Sequence, residues 1–299
     1  MSLDRLRNLK VGKERPLLCL EVNPVKGVDL SKVLGRLEGN LSGIDFFNVT
    51  DSALARMRMS ALPFASVLKA KFGVEPLVNI SCRDRNLIAL QADLLAGWVT
   101  GVRSVVALTG DAMSIGDSPD CKGVFEVNSI GLLDVISKLN SGKDLAENDL
   151  HGAPDYCAGV VVNPNAKNVK AEVRKLERKI AAGAKYALSQ PVFSKAVCDE
   201  FFLEAEILNF PIFLGLMPIV NAKAALGTAK VPGIKMAPDI VEMSQANPEM
   251  DLREHSIKLS LEIAQSNVDR VCGFHIISGT HPLLGIKLAR RLAKYIGSL

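Results

Sequence analysis

An apolar run that stops on a polar residue or a proline recurs eight times along this chain, and that repetition constrains the fold more than any single motif. Residues 104–111, Ser-Val-Val-Ala-Leu-Thr-Gly-Asp, are its clearest instance. A mostly β-branched stretch broken by Thr-Gly-Asp is how a parallel strand ends when both of its faces are covered. Gly110 lets the backbone turn or approach a ligand closely. Asp111 puts a carboxylate at the strand's C-terminal end, the edge at which parallel α/β proteins bind ligands. Taken alone, Asp111 could equally cap the following helix. The recurrence argues instead for a shared edge.

The strands fall at residues 17–22, 44–49, 75–82, 104–108, 157–162, 186–189, 211–217 and 270–277. Helical spacing covers 29–38, 64–71 after the Pro63 start signal, 86–98 with Asp84 as a candidate cap, and 128–139. It continues over 170–182, closed by Gly183, then 195–208, short pieces within 221–246, 251–265 and 282–295. Residues 140–155 are polar, and because strand and helix resume at once they read as an inserted loop within a single domain spanning 1–299. Eight strands, each followed by a helix, predict a (β/α)8 TIM-type barrel, because right-handed βαβ connections repeated eight times close a parallel sheet. A doubly wound open sheet is the alternative. The lack of Gly-x-Gly-x-x-Gly after the first strand weighs against it.

Composition removes several functions. At 299 residues the chain can bury one large core, and 48% apolar with 23% charged residues is a globular balance rather than a disordered one. One Trp and three Tyr offer no stacking platform for nucleic acid, and a net charge of +4 with interspersed signs argues neither for nucleic acid nor for a membrane surface. The cysteines at 19, 82, 121, 157, 198 and 272 and the histidines at 151, 255, 275 and 281 have no metal-ligand spacing. Most of those cysteines sit in apolar strand contexts, as small core residues in a reducing compartment do. With no signal core and no membrane-length apolar run, the expected location is the cytoplasm.

A barrel would gather Glu21, Thr50, Asn79, Asp111, Asn163, Gln190 and Ser278 at one mouth. That set holds carboxylates, amides and hydroxyls but no Ser-His or Cys-His pair, so it suits proton handling and recognition of a heteroaromatic ring better than nucleophilic or metal hydrolysis. Apolar neighbours around Glu21 should raise its pKa and fit it for general acid work, the alternative being a structural carboxylate paired with a Lys or Arg. Arg178 and Lys179 read either as solvated helix surface or as a phosphate contact. His275, inside an apolar strand, reads as a satisfied core histidine, with a ligand contact as the other option.

Three stretches, Cys82-Arg83-Asp84-Arg85-Asn86-Leu87, Val105 to Asp111, and Gly123-Val124-Phe125-Glu126-Val127-Asn128-Ser129-Ile130, carry a family resemblance. So do Leu176-Glu177-Arg178-Lys179 with Ala182-Gly183-Ala184, Ser189-Gln190-Pro191-Val192-Phe193, and Gly215-Leu216-Met217-Pro218. In this order the chain resembles the methylenetetrahydrofolate reductases over nearly its whole length. The resemblance implies a (β/α)8 barrel carrying FAD that reduces 5,10-methylenetetrahydrofolate to 5-methyltetrahydrofolate with NAD(P)H, an activity of one-carbon metabolism and methionine biosynthesis.

By that resemblance Glu21 is the general acid that opens the folate ring to its iminium form, Asp111 tunes the flavin and helps position folate, and Gln190 contacts folate and nicotinamide in turn. Thr50, Gly110, Arg178 and Lys179 fall on flavin-contact positions, the basic pair suiting a pyrophosphate. Asn128, Glu172 and Lys175 align with further flavin contacts. Asn79, Thr109 and Asn163 occupy cofactor-site positions where the family often has His, Arg and His, and Val22-Asn23-Pro24-Val25 replaces its Phe-x-x-Pro-Pro. Those departures leave FMN, or no tightly held flavin, as alternatives to FAD. They also leave two other functions: a paralogue acting on a pterin one-carbon unit with a redox partner subunit as electron source, or a non-catalytic folate-binding barrel. A homo-oligomer is expected.

Overall fold

The computed structural model describes residues 2–12, 14–279 and 281–298. Its eight strands are β1 Leu17–Val22, β2 Phe46–Val49, β3 Glu75–Ser81, β4 Ser104–Leu108, β5 Cys157–Val162, β6 Tyr186–Pro191, β7 Ile212–Leu216 and β8 Gly273–Ile276. Every neighbouring pair is parallel and β8 pairs with β1, so the sheet closes into a barrel and the open-sheet alternative is excluded. The helices are α1 Ser2–Arg7, α2 Ser31–Leu37, α3 Ala61–Phe72, α4 Leu87–Val99, α5 Ser129–Asn140 and α6 Val169–Ala181. They continue with α7 Lys195–Ala205, α8 Ala222–Ala229, α9 Pro238–Ala246, α10 Arg253–Asn267 and α11 Pro282–Ile296.

Strand residues alternate between two cores, as a period of two requires. Leu18, Leu20 and Val22 of β1 face the helices together with Phe47, Val78, Ile80, Val105, Phe274 and Ile276. Leu17, Cys19, Phe46, Leu77, Val106, Cys157, Tyr186 and Phe213 fill the barrel itself. The Tyr186 hydroxyl inside it is matched by the Ser104 hydroxyl at 2.8 Å, and Ser104 in turn reaches the Cys157 carbonyl at 2.8 Å. Gly159 leaves the space that the Tyr186 ring takes. Five of the six cysteines are buried, Cys198 on α7 and the other four in or beside strands.

Three details differ from the sequence reading. The first is α1, a six-residue helix too short to register as a periodic pattern, whose Leu6 is 1% exposed and joins the inner cluster at the N-terminal end of the barrel. The second is the cap of α4: Asn86 supplies it, its Oδ1 accepting from Ala89 N at 2.9 Å, while Asp84 pairs with Arg83. The third is β6, which runs on through Pro191. Its register slips between Leu188 and Pro191, so three steps on β6 match two on β7, from Phe213 to Gly215. That extra residue is a β-bulge, which re-aims the side chains beside it.

Candidate active site

The C-terminal strand ends form the mouth, and its polar floor comes from inward positions of the first three strands. Glu21 pairs in register with Asn48, and the Asn48 amide donates to Asn79 Oδ1 at 2.8 Å and to the Leu77 carbonyl at 3.1 Å. Just above, Asn23 donates from Nδ2 to Glu21 Oε1 at 3.2 Å and to the Gly279 carbonyl at 2.9 Å, and its Oδ1 accepts from the Thr50 hydroxyl at 2.6 Å. The Gly279 N–H also donates to Glu21 Oε1, at 3.1 Å. Amides and backbone, rather than a Lys or Arg, therefore partner Glu21. Burial among apolar strands raises its pKa to about 7, and these N–H donors partly offset that rise.

His275 lies one layer below, level with Cys19 on β1 and Gly215 on β7. Neither ring nitrogen makes a well-formed hydrogen bond among the described residues, the Ser189 carbonyl approaching the ring without completing one, so His275 is not the satisfied core histidine of the sequence reading. Burial lowers its pKa to about 4, an effect that the Ser189 carbonyl partly opposes. The imidazole is neutral near pH 7.

Beside the floor, the turn after β2 holds Ser52, Leu54 and Ala55 in left-handed conformations, φ 46, 57 and 53°, which side chains other than glycine rarely adopt. Asp111 secures it by accepting from Leu54 N at 2.7 Å, so this carboxylate does not cap the helix that follows it. Arg83 secures the same turn through the Ser52 carbonyl at 3.1 Å. Gly110, at φ 101°, passes so close to Ser81 and Arg83 that an added Cβ would strike both. Asp51, after Thr50, is buried and held by Arg85 at 2.6 Å and by the Ser81 N–H at 2.9 Å.

Gln190 sits exposed on the bulge of β6. The Ser189 hydroxyl fixes that bulge by accepting from Gly215 N at 2.7 Å and donating to the Gln190 carbonyl at 2.8 Å. A side chain at 215 would meet the Ser189 and Gln190 carbonyls at 2.6 and 2.7 Å.

Several candidate side chains are engaged within the protein. Asn128 caps α5, accepting from Ile130 N at 2.9 Å, and Thr109 Oγ1 accepts from Ser129 N at 3.1 Å. Both nevertheless line a cleft of about 440 Å³ with Phe125, Glu126, Val127 and Gly131. Asn163 donates to the Gly233 carbonyl at 2.9 Å, tying the α8–α9 excursion to the end of β5, and its N–H donates to Glu172 Oε1 at 3.0 Å. Lys175 lies 3.8 Å from the other Glu172 oxygen. The two basic residues of α6 separate: Arg178 is exposed, whereas Lys179 is 4% exposed and donates to the Val161 carbonyl at 2.5 Å. Burial, with Lys175 nearby, pulls the Lys179 ammonium down to about 8. The candidate whose hydroxyl stays orphaned is Ser278, its Oγ buried without a partner among the described residues.

Sequence reasoning passed over Asn23, Asn48, Asp51, Arg83 and Arg85 as site residues. For Asn48 the signal was present: a polar residue at an inward position of an apolar strand, in phase with Glu21 and Asn79. Asn23 carried none, since Asn-Pro after a strand reads as a turn.

Known proteins are similar over most of this length. A 5,10-methylenetetrahydrofolate reductase of Pectobacterium carotovorum subsp. carotovorum is 26% identical over 249 residues, 78% of each chain. The protein of the same name from Escherichia coli K12 is 25% identical over 232 residues, 75% of this chain and 71% of its own. In fold, the barrel matches an uncharacterized protein from Clostridium thermocellum that binds two copies of 5-methyl-5,6,7,8-tetrahydrofolic acid, with a TM-score of 0.71, 15% identity and coverage of 99% and 100%. The family model described as methylenetetrahydrofolate reductase matches residues 6–281, and the chain belongs to that family.

Proposed function

We propose that this chain reduces 5,10-methylenetetrahydrofolate to 5-methyltetrahydrofolate with a flavin and NAD(P)H, Glu21 acting as the general acid. The observation that carries the reading is the state of Glu21: a carboxyl at the barrel mouth, raised to about 7 and held on one oxygen by two N–H groups. About half of such groups hold a proton at neutral pH, where an ordinary Glu near 4.5 would hold almost none. Proton transfer from Glu21 to a folate nitrogen opens the five-membered ring and leaves the methylene carbon electrophilic. The amides of Asn79 and Gln190 are suited to orient the pterin through its donors and acceptors.

The residues present fit a flavin. The cleft beside Thr109 and Asn128 offers room at the helix start, and Lys179 is a cation stripped of water with one carbonyl as partner, which suits a phosphate, with Lys175 beside it. When bound, the flavin supplies the hydride that it has taken from NAD(P)H. Asp111 contributes by holding the strained turn at Leu54, which shapes that side of the mouth. Arg178, exposed, is assigned no contact.

A second reading has its own observation. Thr50, Asn128 and Asn163 spend their polar side chains inside the protein, which suits a folate-binding barrel with weak flavin affinity. The visible spectrum of the purified protein separates the two. Bound flavin bleached by NADH or NADPH supports the reductase, and flavin bleached only by methyltetrahydrofolate or an added redox partner supports a partner-fed paralogue. A colourless protein that takes up no added flavin supports the folate-binding barrel.

A further inference from the structure

We propose that Asn23 is a positioning residue that fixes the orientation of the Glu21 carboxyl and so selects the oxygen that carries its proton. The proposal rests on the reading of Glu21 as the proton donor. Asn23 has one amide and three partners. One N–H goes to the Gly279 carbonyl, another to Glu21 Oε1, and Oδ1 takes the Thr50 hydroxyl. The Gly279 carbonyl can only accept, so a flipped amide would set two acceptors against each other, and the observed orientation is locked. With the amide locked, Asn23 and Gly279 both donate to Oε1, at 3.2 and 3.1 Å. The proton of the neutral acid is thereby directed to Oε2.

The same two bonds, with a contribution from the Ser278 backbone N–H, favour the ionised carboxylate, and so hold its proton affinity below what burial alone would impose. The titratable groups beneath Glu21 on β1 and β8 contribute no charge near neutrality. Burial raises the Cys19 thiol on β1 far above its usual range and lowers the buried His275 on β8. Asp51 beyond Thr50 is neutralised by Arg85, and His281 is exposed at the start of α11. The Asn23 amide is thus the side chain that tunes this acid.

The test reads the carboxyl directly. A 13C-carboxyl NMR titration of the full-length protein, with the Glu21 signal assigned by its loss in Glu21→Gln, is compared with Asn23→Leu, which keeps the volume and removes the donor. The Glu21 midpoint is expected near 7 in the native chain. In the variant it should rise by about one pH unit, because a bond to a charged group is lost. The pH profile of folate reduction should move the same way. Should Asn23→Leu fail to fold, Asn23→Ser, too short to reach Oε1, gives the same reading. An unmoved midpoint in the folded variant overturns the proposal, even where Glu21→Gln abolishes folate reduction. A raised midpoint supports it even where Glu21→Gln leaves that reduction intact, in which case the functional reading alone has failed.

Discussion

Glu21 costs the folded protein stability as the pH rises, and the direction follows from its raised pKa. Between its unfolded value, near 4.5, and about 7, the unfolded chain releases the proton while the folded chain retains it. Native stability therefore falls across that window and levels off above it, by roughly 3 kcal/mol at most. In Glu21→Gln this decline should be absent, so urea unfolding should show the variant gaining on the native protein from pH 5 to pH 8. Equal slopes in both proteins would contradict the buried-acid description. His275, lowered to about 4, acts in the opposite sense, taking stability away as the pH falls below about 6.5, and its imidazole proton resonances should stay constant from pH 8 down to about 5.5. At this scale the sequence was legible where a polar residue interrupts an apolar strand, as at Glu21 and Asn79. It was not legible at Asn23, whose partners at Thr50 and Gly279 are brought together only by closure of β1 against both β2 and β8.

Elements position these residues through a few buried polar contacts. The Arg85 guanidinium bridges Asp51 at 2.6 Å and Asp93 at 2.8 Å, with the Asp51 side chain 4% exposed. Arg85→Ala strands that carboxylate without its counterion, and should cost about 3 kcal/mol in chemical denaturation. Arg85→Lys should recover part of the loss, since a point charge replaces a fork. All eight strands were legible because each apolar run is stopped by a polar residue or, after β7, by Pro218. The bulge in β6 was not, because Ser-Gln-Pro reads as a strand stopping, whereas the Ser189 hydroxyl and the missing side chain at Gly215 let it continue. Gly215→Ala should test that account: the added carbon meets two carbonyls and should displace Gln190. We expect a raised KM for folate and for NAD(P)H alike, since both are read as meeting Gln190.

On the scale of the whole molecule, closure gives the chain two concentric cores and leaves one end to be sealed and the other to bind. Leu6 of α1 helps to seal the N-terminal end against the inner cluster. Leu6→Ala should cost about 3 kcal/mol, measured by urea denaturation, as for other buried leucines. The repeat of strand and helix announced the barrel, but a six-residue helix plugging it carries no periodicity to read. No helix among the described residues is long and apolar enough to cross a membrane. The open end is where the first three strands set an acid and two amides, Glu21, Asn48 and Asn79, beside one another, and the reduction we propose needs a proton there in one half-reaction only. Rapid mixing of Glu21→Gln resolves the two halves. Flavin reduction by NAD(P)H should stay within about twofold of the native rate, while transfer to methylenetetrahydrofolate should drop at least about 100-fold. Equal losses in both halves, or an undiminished folate rate, would contradict the role of Glu21 as the proton donor.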